Sequence, residues 1–170
     1  TQSVLDRIQA YLEEEAQEGG YRMADKHQGD IDGFYQEAAL LLNCAAKNIA
    51  FSSSATEAYA RALSAIPFQK GDVILTTDDD YVSSHLQFIS LKKRHGVEIV
   101  RATCLENGDL DLQHFEELIK KHAPKLVALA HIPTSSGLIQ DAEAVGDLCE
   151  KYESLYLVDA CQSAGQIPLD

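Results

Sequence analysis

Between Val73 and Val158 the chain alternates two hydrophobic periods. Short apolar runs, Val73 to Thr76, Glu98 to Cys104, Leu126 to Ile132 and Leu155 to Val158, have the length and the β-branched and aliphatic content of strands. Between them, Ser83 to Arg94, Leu112 to Lys121 and Ala142 to Tyr152 space their apolar residues three and four apart, the period of a helix with one buried face. Parallel strands need crossover connections, so this alternation predicts an α/β fold: a mainly parallel sheet with helices on both faces.

Upstream the pattern is helical. Val4, Leu5, Ile8, Tyr11 and Leu12 share one face of a helix expected from Ser3 to about Gln17, with Ser3 as N-cap and Gly19-Gly20 as the stop. A second helix is expected from Asp32 into Leu42. A short apolar run, Ile49-Ala50-Phe51, and a serine-rich turn then lead into a third helix around Thr56 to Ile66.

Composition narrows the class. With 170 residues, 45% of them hydrophobic, the chain can bury one substantial core, which fits a single domain or a large piece of one. No apolar run approaches the ~20 residues of a spanning helix, and the amino terminus lacks the basic and apolar regions of a signal peptide. A soluble cytoplasmic protein without a membrane partner is the expectation. The formal net charge of −13 argues against a nucleic-acid partner, since phosphate neutralisation needs clustered cations. The main basic run, Lys92-Lys93-Arg94, closes a predicted helix, where it complements the dipole. Cys44, Cys104, Cys149 and Cys161 have neither metal-ligand spacing nor a disulfide pattern, so they are expected to be reduced thiols, mostly in the core, with no metal site.

Four segments carry candidate chemistry. Leu155-Tyr156-Leu157-Val158 reads as a buried strand ending on Asp159, at the end of the sheet where open α/β proteins bind ligands. A carboxylate there caps a turn, pairs with a basic side chain, or holds the protonated ring nitrogen of a cofactor. In Phe51-Ser52-Ser53-Ser54-Ala55-Thr56-Glu57-Ala58, Ser54 and Glu57 have capping-box spacing, and the same helix start suits a phosphate. After the Val73 strand, Asp78-Asp79-Asp80 reads as a capped, solvated helix start, and Tyr81 as an aromatic placed to lie against a planar ring. His85, one turn on, is expected to face core or solvent. Ala130-His131-Ile132-Pro133-Thr134-Ser135-Ser136-Gly137 brings hydroxyls and a histidine to a third strand end, although a proline turn closed by glycine explains much of that composition.

Taken in order, Ser54-Ala55-Thr56-Glu57-Ala58, Asp80-Tyr81, His131-Ile132-Pro133-Thr134-Ser135-Ser136-Gly137 and Val158-Asp159-Ala160-Cys161-Gln162-Ser163-Ala164-Gly165 resemble the class V aminotransferase family, from about Gly19 to the end. The resemblance implies the large domain of the fold type I architecture and pyridoxal 5'-phosphate as cofactor. It implies that Ala55 and Thr56 hold the cofactor phosphate, Tyr81 stacks on the pyridine ring, Asp159 pairs with the ring nitrogen, and Gln162 bonds the phenolic oxygen. Thr134 falls where many members carry an asparagine that touches the same oxygen. Tyr81 falls where desulfurases carry a histidine, so transamination, epimerisation or another lyase reaction is expected ahead of cysteine desulfuration.

In the family the Schiff-base lysine follows the Asp-Gln strand by a further strand and loop, beyond Asp170. Neither Lys70, Lys121 nor Lys125 takes its place. The expectation is therefore the amino-terminal part of a larger, homodimeric enzyme acting on an amino acid, inactive by itself, with the lysine-bearing part and the small carboxyl-terminal domain absent. The alternative is a non-catalytic α/β module or partner subunit that binds a phosphate-bearing ligand. A Rossmann reading is disfavoured, because no G-x-G-x-x-G follows a strand.

Overall fold

In a computed structural model, residues 1–169 are described. They divide into two units, residues 1–50 and 51–169. The first contains α1 (Gln2–Glu18), α2 (Gly20–Lys26), α3 (Gln28–Leu41) and one 3₁₀ turn at Ala46–Asn48. Thr1, not Ser3, stands at the N-cap of α1, and it makes no capping bond. The two hydroxyls bond each other instead, at 3.0 Å. Gly19 ends α1 at φ 84°, a conformation that side chains disfavour, but α2 starts at the next residue. The Gly19-Gly20 pair thus breaks one helix from another instead of stopping helical structure. Helix α2 escapes the periodicity because it buries a single residue, Met23.

The second unit alternates as expected: α4 (Ala55–Ser64), β1 (Val73–Thr77), α5 (Val82–His95), β2 (Glu98–Ala102), α6 (Leu112–His122), β3 (Leu126–Ala130), α7 (Ala142–Lys151) and β4 (Leu155–Asp159). The four strands are parallel, in the order β2-β1-β3-β4. The pleat sends alternate residues to opposite faces. Ile74, Leu126 and Ala128 pack with Leu63 of α4 and with Phe88 and Leu91 of α5. Leu75, Val127 and Leu129 pack with Phe115 and Ile119 of α6 and with Val145 and Cys149 of α7. Phe88 and Phe115 are fully buried, each burial worth about 1.5–3 kcal/mol. Helix α5 ends on Gly96 at φ 71°, where a Cβ would also meet Lys70 Cγ at 3.0 Å.

Strand β4 departs from the expected burial. Among the described residues it pairs on one side, with β3, and Leu155 and Val158 are exposed. An apolar run records what a strand is able to bury, not how many neighbours it has. The cysteines also depart: Cys149 alone is buried, while Cys44, Cys104 and Cys161 are exposed free thiols. Among the described residues no helix is long and apolar enough to cross a membrane.

From β1 the chain passes through α5 to β2, then returns through α6 to β3 on the opposite side of β1. The crossovers therefore diverge between β1 and β3. At such a switch point, the carboxyl ends of the strands leave a crevice where open α/β sheets bind ligands.

Candidate functional site

Three strand ends and one helix start supply the candidate residues at this end of the sheet. Strand β1 runs into Thr76 and Thr77, both buried, then into the three aspartates. These are not a capped, solvated helix start. Tyr81 is the N-cap of α5 and makes no side-chain cap. Asp80 folds back into the sheet: its carboxylate accepts a hydrogen bond from the Thr76 hydroxyl and another from the Ala130 N–H, at 2.8 Å. Burial pushes the pKa of Asp80 above the ordinary carboxylate value, against the opposing pull of those bonds. Asp79 accepts from the Ser135 hydroxyl. Asp78 lies 3.3 Å from Arg101 across to β2.

At the end of β3, His131 donates its backbone N–H to the Asp159 carbonyl at 3.0 Å and accepts from Gln140 N–H at 2.9 Å. Its ring Nδ1 lies 3.1 Å from the hydroxyl of Ser163, which is fully buried. The His131–Ser163 contact fastens the turn after β4 to the end of β3.

Asp159, half-buried at the end of β4, accepts the Cys161 N–H at 3.0 Å. The turn-capping alternative is thus realised. No lysine, arginine or histidine forms an ion pair with it among the described residues. Burial, followed by the Asp159 carboxylate, pushes the neighbouring Cys161 thiol up to about 11, which keeps it protonated at neutral pH.

The serine-rich turn folds as a half-formed capping box. Ser54 accepts the Glu57 N–H at 3.2 Å, but Glu57 does not reach back. It takes the Ser53 hydroxyl and Arg61, at 2.5 Å, and these hold its carboxyl below the usual range. The first amides of α4, at Ala55 and Thr56, have no intrahelical acceptor. Thr56 Oγ1 lies 3.4 Å from Ser83 Oγ, and its carbonyl lies 3.4 Å from Gln87 Nε2, so α4 and α5 begin side by side. Nearby, the buried His85 Nδ1 and Gln87 Oε1 find no hydrogen-bond partner among the described residues.

One side chain joins the two halves of this region. Tyr59, one turn along α4 from Thr56, is half-buried; burial first, then the Asp80 and Asp159 carboxylates, push its hydroxyl pKa up. Ala130, which donates to Asp80 and pairs in register with Asp159, brings the ends of β1 and β4 into one neighbourhood. Tyr81 opens it, with about half its surface, 51%, exposed. Thr134 and Gln162 are exposed and make no hydrogen bond to the described residues, so nothing ties them to the others. Sequence reasoning missed Tyr59 and Ser163 and misread Asp80 as solvent-facing.

The aminotransferase class-V family matches residues 1–170. The chain is 30% identical over 153 residues to a cysteine desulfurase of Vibrio atlanticus, covering 88% of this chain and 37% of that protein. It is 26% identical over 152 residues to a probable cysteine desulfurase of Methanothermobacter thermautotrophicus, with 89% and 38% covered. Among solved structures it is similar to an apo cysteine desulfurase of Thermococcus onnurineus, at TM-score 0.81 and 25% identity over 86% of this chain and 37% of that one. It also shares its fold with the cystine C–S lyase C-DES, at TM-score 0.87 and 23% identity over 98% and 45%. The chain thus spans between 37% and 45% of the length of these relatives.

Proposed function

The chain belongs to the aminotransferase class-V family, and from that premise we propose that it is the amino-terminal part of a pyridoxal 5'-phosphate enzyme that transforms an amino acid. The single observation that carries the reading is Asp159, a half-buried carboxylate at a strand end with no cationic partner among the described residues. Its turn-capping bond does not exclude a second partner, because a carboxylate accepts several hydrogen bonds. The open amides at the start of α4 suit a phosphate there.

When bound, pyridoxal phosphate supplies a ring that draws electron density from the α-carbon of an amino acid. The amides of Ala55 and Thr56 and the Thr56 hydroxyl would hold its phosphate, and Tyr81 would cover one face of the ring and exclude water from it. Asp159 would hold a proton on the ring nitrogen, since a nearby negative charge favours the protonated form. Gln162 would donate to the phenolic oxygen, assisted by the Thr134 hydroxyl. The lysine that carries the cofactor would come from the remainder of a longer chain, so residues 1–170 alone would be inactive.

A second reading, cysteine desulfuration, is favoured by the desulfurase names of the relatives. Against it stands Tyr81: imidazole is the side chain that exchanges protons near neutrality, and a phenol occupies the position where desulfurases carry histidine. The test incubates the full-length protein with pyridoxal phosphate and an amino-acid panel, following bound-cofactor absorbance, product and sulfide. Cofactor uptake with turnover is expected, while residues 1–170 give no product beyond free cofactor. Sulfide release from cysteine as the main activity would select the second reading, and a full-length protein that takes up no cofactor would refute both.

A further inference from the structure

The ladder between β1 and β3 pairs Ile74 with Leu126 and Leu75 with Val127, and no further. Both strands run on past that last rung, β1 to Thr77 and β3 to Ala130. Ala130 is 4% exposed, so its N–H would be a buried, unpaired donor if the strands simply parted. Asp80 takes its place in the ladder. One carboxylate oxygen accepts the Ala130 N–H at 2.8 Å while the other accepts the Thr76 hydroxyl on β1. The Ser135–Asp79 hydrogen bond ties the same turn to the loop after β3.

We propose that Asp80 is a positioning residue for the cofactor site: its carboxylate bridges the carboxyl ends of β1 and β3 across the switch point and so fixes Tyr81, the next residue, at the mouth of the crevice. The inference rests on the pyridoxal phosphate reading. It assigns Asp80 no contact with the cofactor or substrate. Its effect passes through the backbone, which leaves Asp80 and enters α5 at Tyr81 with φ −64° and ψ 142°. The raised pKa of Asp80 fits a role of geometry over charge, since burial works against the ionised form.

Asp80→Asn and Asp80→Ala separate the two. The amide oxygen of asparagine accepts the Ala130 N–H, and its NH₂ donates to Thr76 Oγ1, which as a hydroxyl accepts equally well. Alanine leaves both partners unsatisfied. In the full-length protein, Asp80→Ala is expected to speed amide hydrogen exchange at Ala130 by about tenfold or more, as local opening of the crevice would. It is also expected to weaken pyridoxal phosphate binding on the order of tenfold, as misplaced contacts do. The induced circular dichroism of bound cofactor should fall with it, and Asp80→Asn should restore all three.

Unchanged cofactor affinity in Asp80→Ala overturns the inference even where exchange quickens, and so does an Asp80→Asn variant as damaged as Asp80→Ala. If Asp80→Ala fails to fold, Thr76→Val removes one of the two ties. It should weaken affinity and dichroism in the same direction, and wild-type values there overturn the inference. Wild-type protein that takes up no pyridoxal phosphate removes the cofactor reading and this inference together, whereas uptake that ignores Asp80 removes this inference alone.

Discussion

Asp80 lies just past β1 and Asp159 ends β4, the two strands that flank β3 in the sheet, yet their needs are met differently. Asp80 has a donor for each oxygen, one from β1 and one from β3. Asp159 has the Cys161 N–H and the adjacent thiol, both from its own turn. A partly desolvated carboxylate with only local donors retains capacity for a cation, which is why Asp159 is the residue to test for chemistry and Asp80 for position. If the full-length protein is the proposed pyridoxal phosphate enzyme, Asp159→Ala should lower its turnover per bound cofactor about 10²- to 10³-fold, the scale of losing one preorganised electrostatic partner. Cofactor should still bind, more weakly, through the start of α4. Asp159→Glu should be less harmful, and Tyr81→Phe, which keeps the ring face, should cost much less than Asp159→Ala. Near-normal turnover per bound cofactor in Asp159→Ala would remove the ring-nitrogen assignment. Asp159 was legible from sequence because an acidic residue closing an apolar run is anomalous. Asp80 was not, because three successive aspartates look like solvent-facing residues and only the strand pairing shows which one turns inward.

Elements were legible where the pattern is long and two-faced. Strands β1 and β3 and helices α5, α6 and α7 fall within two residues of their expected limits, since each must match a buried face at its own period. What sequence could not supply was neighbourhood: α2 is too short to show a period, and β4 is apolar but among the described residues pairs along one edge. Contacts between helices are equally invisible. Glu116 of α6 accepts from Lys151, at 2.9 Å, and from the Tyr152 hydroxyl, at 2.7 Å, and lies 3.2 Å from Lys120. Hydrogen bonds from Lys151, then from Tyr152 and Lys120, pull its carboxyl from 4.5 down to about 2. A depressed folded value means that the unfolded chain takes up the proton first as pH falls. The contribution is therefore whole above pH 4.5 and is lost on the way down to about 2. The network is exposed, so the effect is modest. Glu116→Gln should lower the thermal midpoint slightly at neutral pH and shrink that difference towards zero at the acid end of the window. A constant difference across the window would separate the network from the pH dependence.

At the scale of the whole molecule, exposed apolar surface and charge pull in opposite directions. Val4, Leu5, Ile8 and Leu12 are each more than half exposed, at 54%, 61%, 52% and 57%, along one face of α1. Leu155 and Val158 are exposed on β4, whose outer edge has no partner strand among the described residues. A contiguous apolar face and an open strand edge both favour association, whereas a formal charge of −13 opposes it through self-repulsion. The full-length protein is expected to cover these surfaces and to be a homodimer, with a mass by light scattering twice that of its chain. A strictly monomeric yet fully active enzyme would refute that. Residues 1–170 alone should associate, and salt distinguishes the forces. Screening over a Debye length of about 8 Å at physiological ionic strength removes repulsion without weakening apolar contact, so added sodium chloride should raise the scattering mass of the isolated chain. A mass that fell with salt would mean that ion pairs, not the α1 face and the β4 edge, hold the copies together.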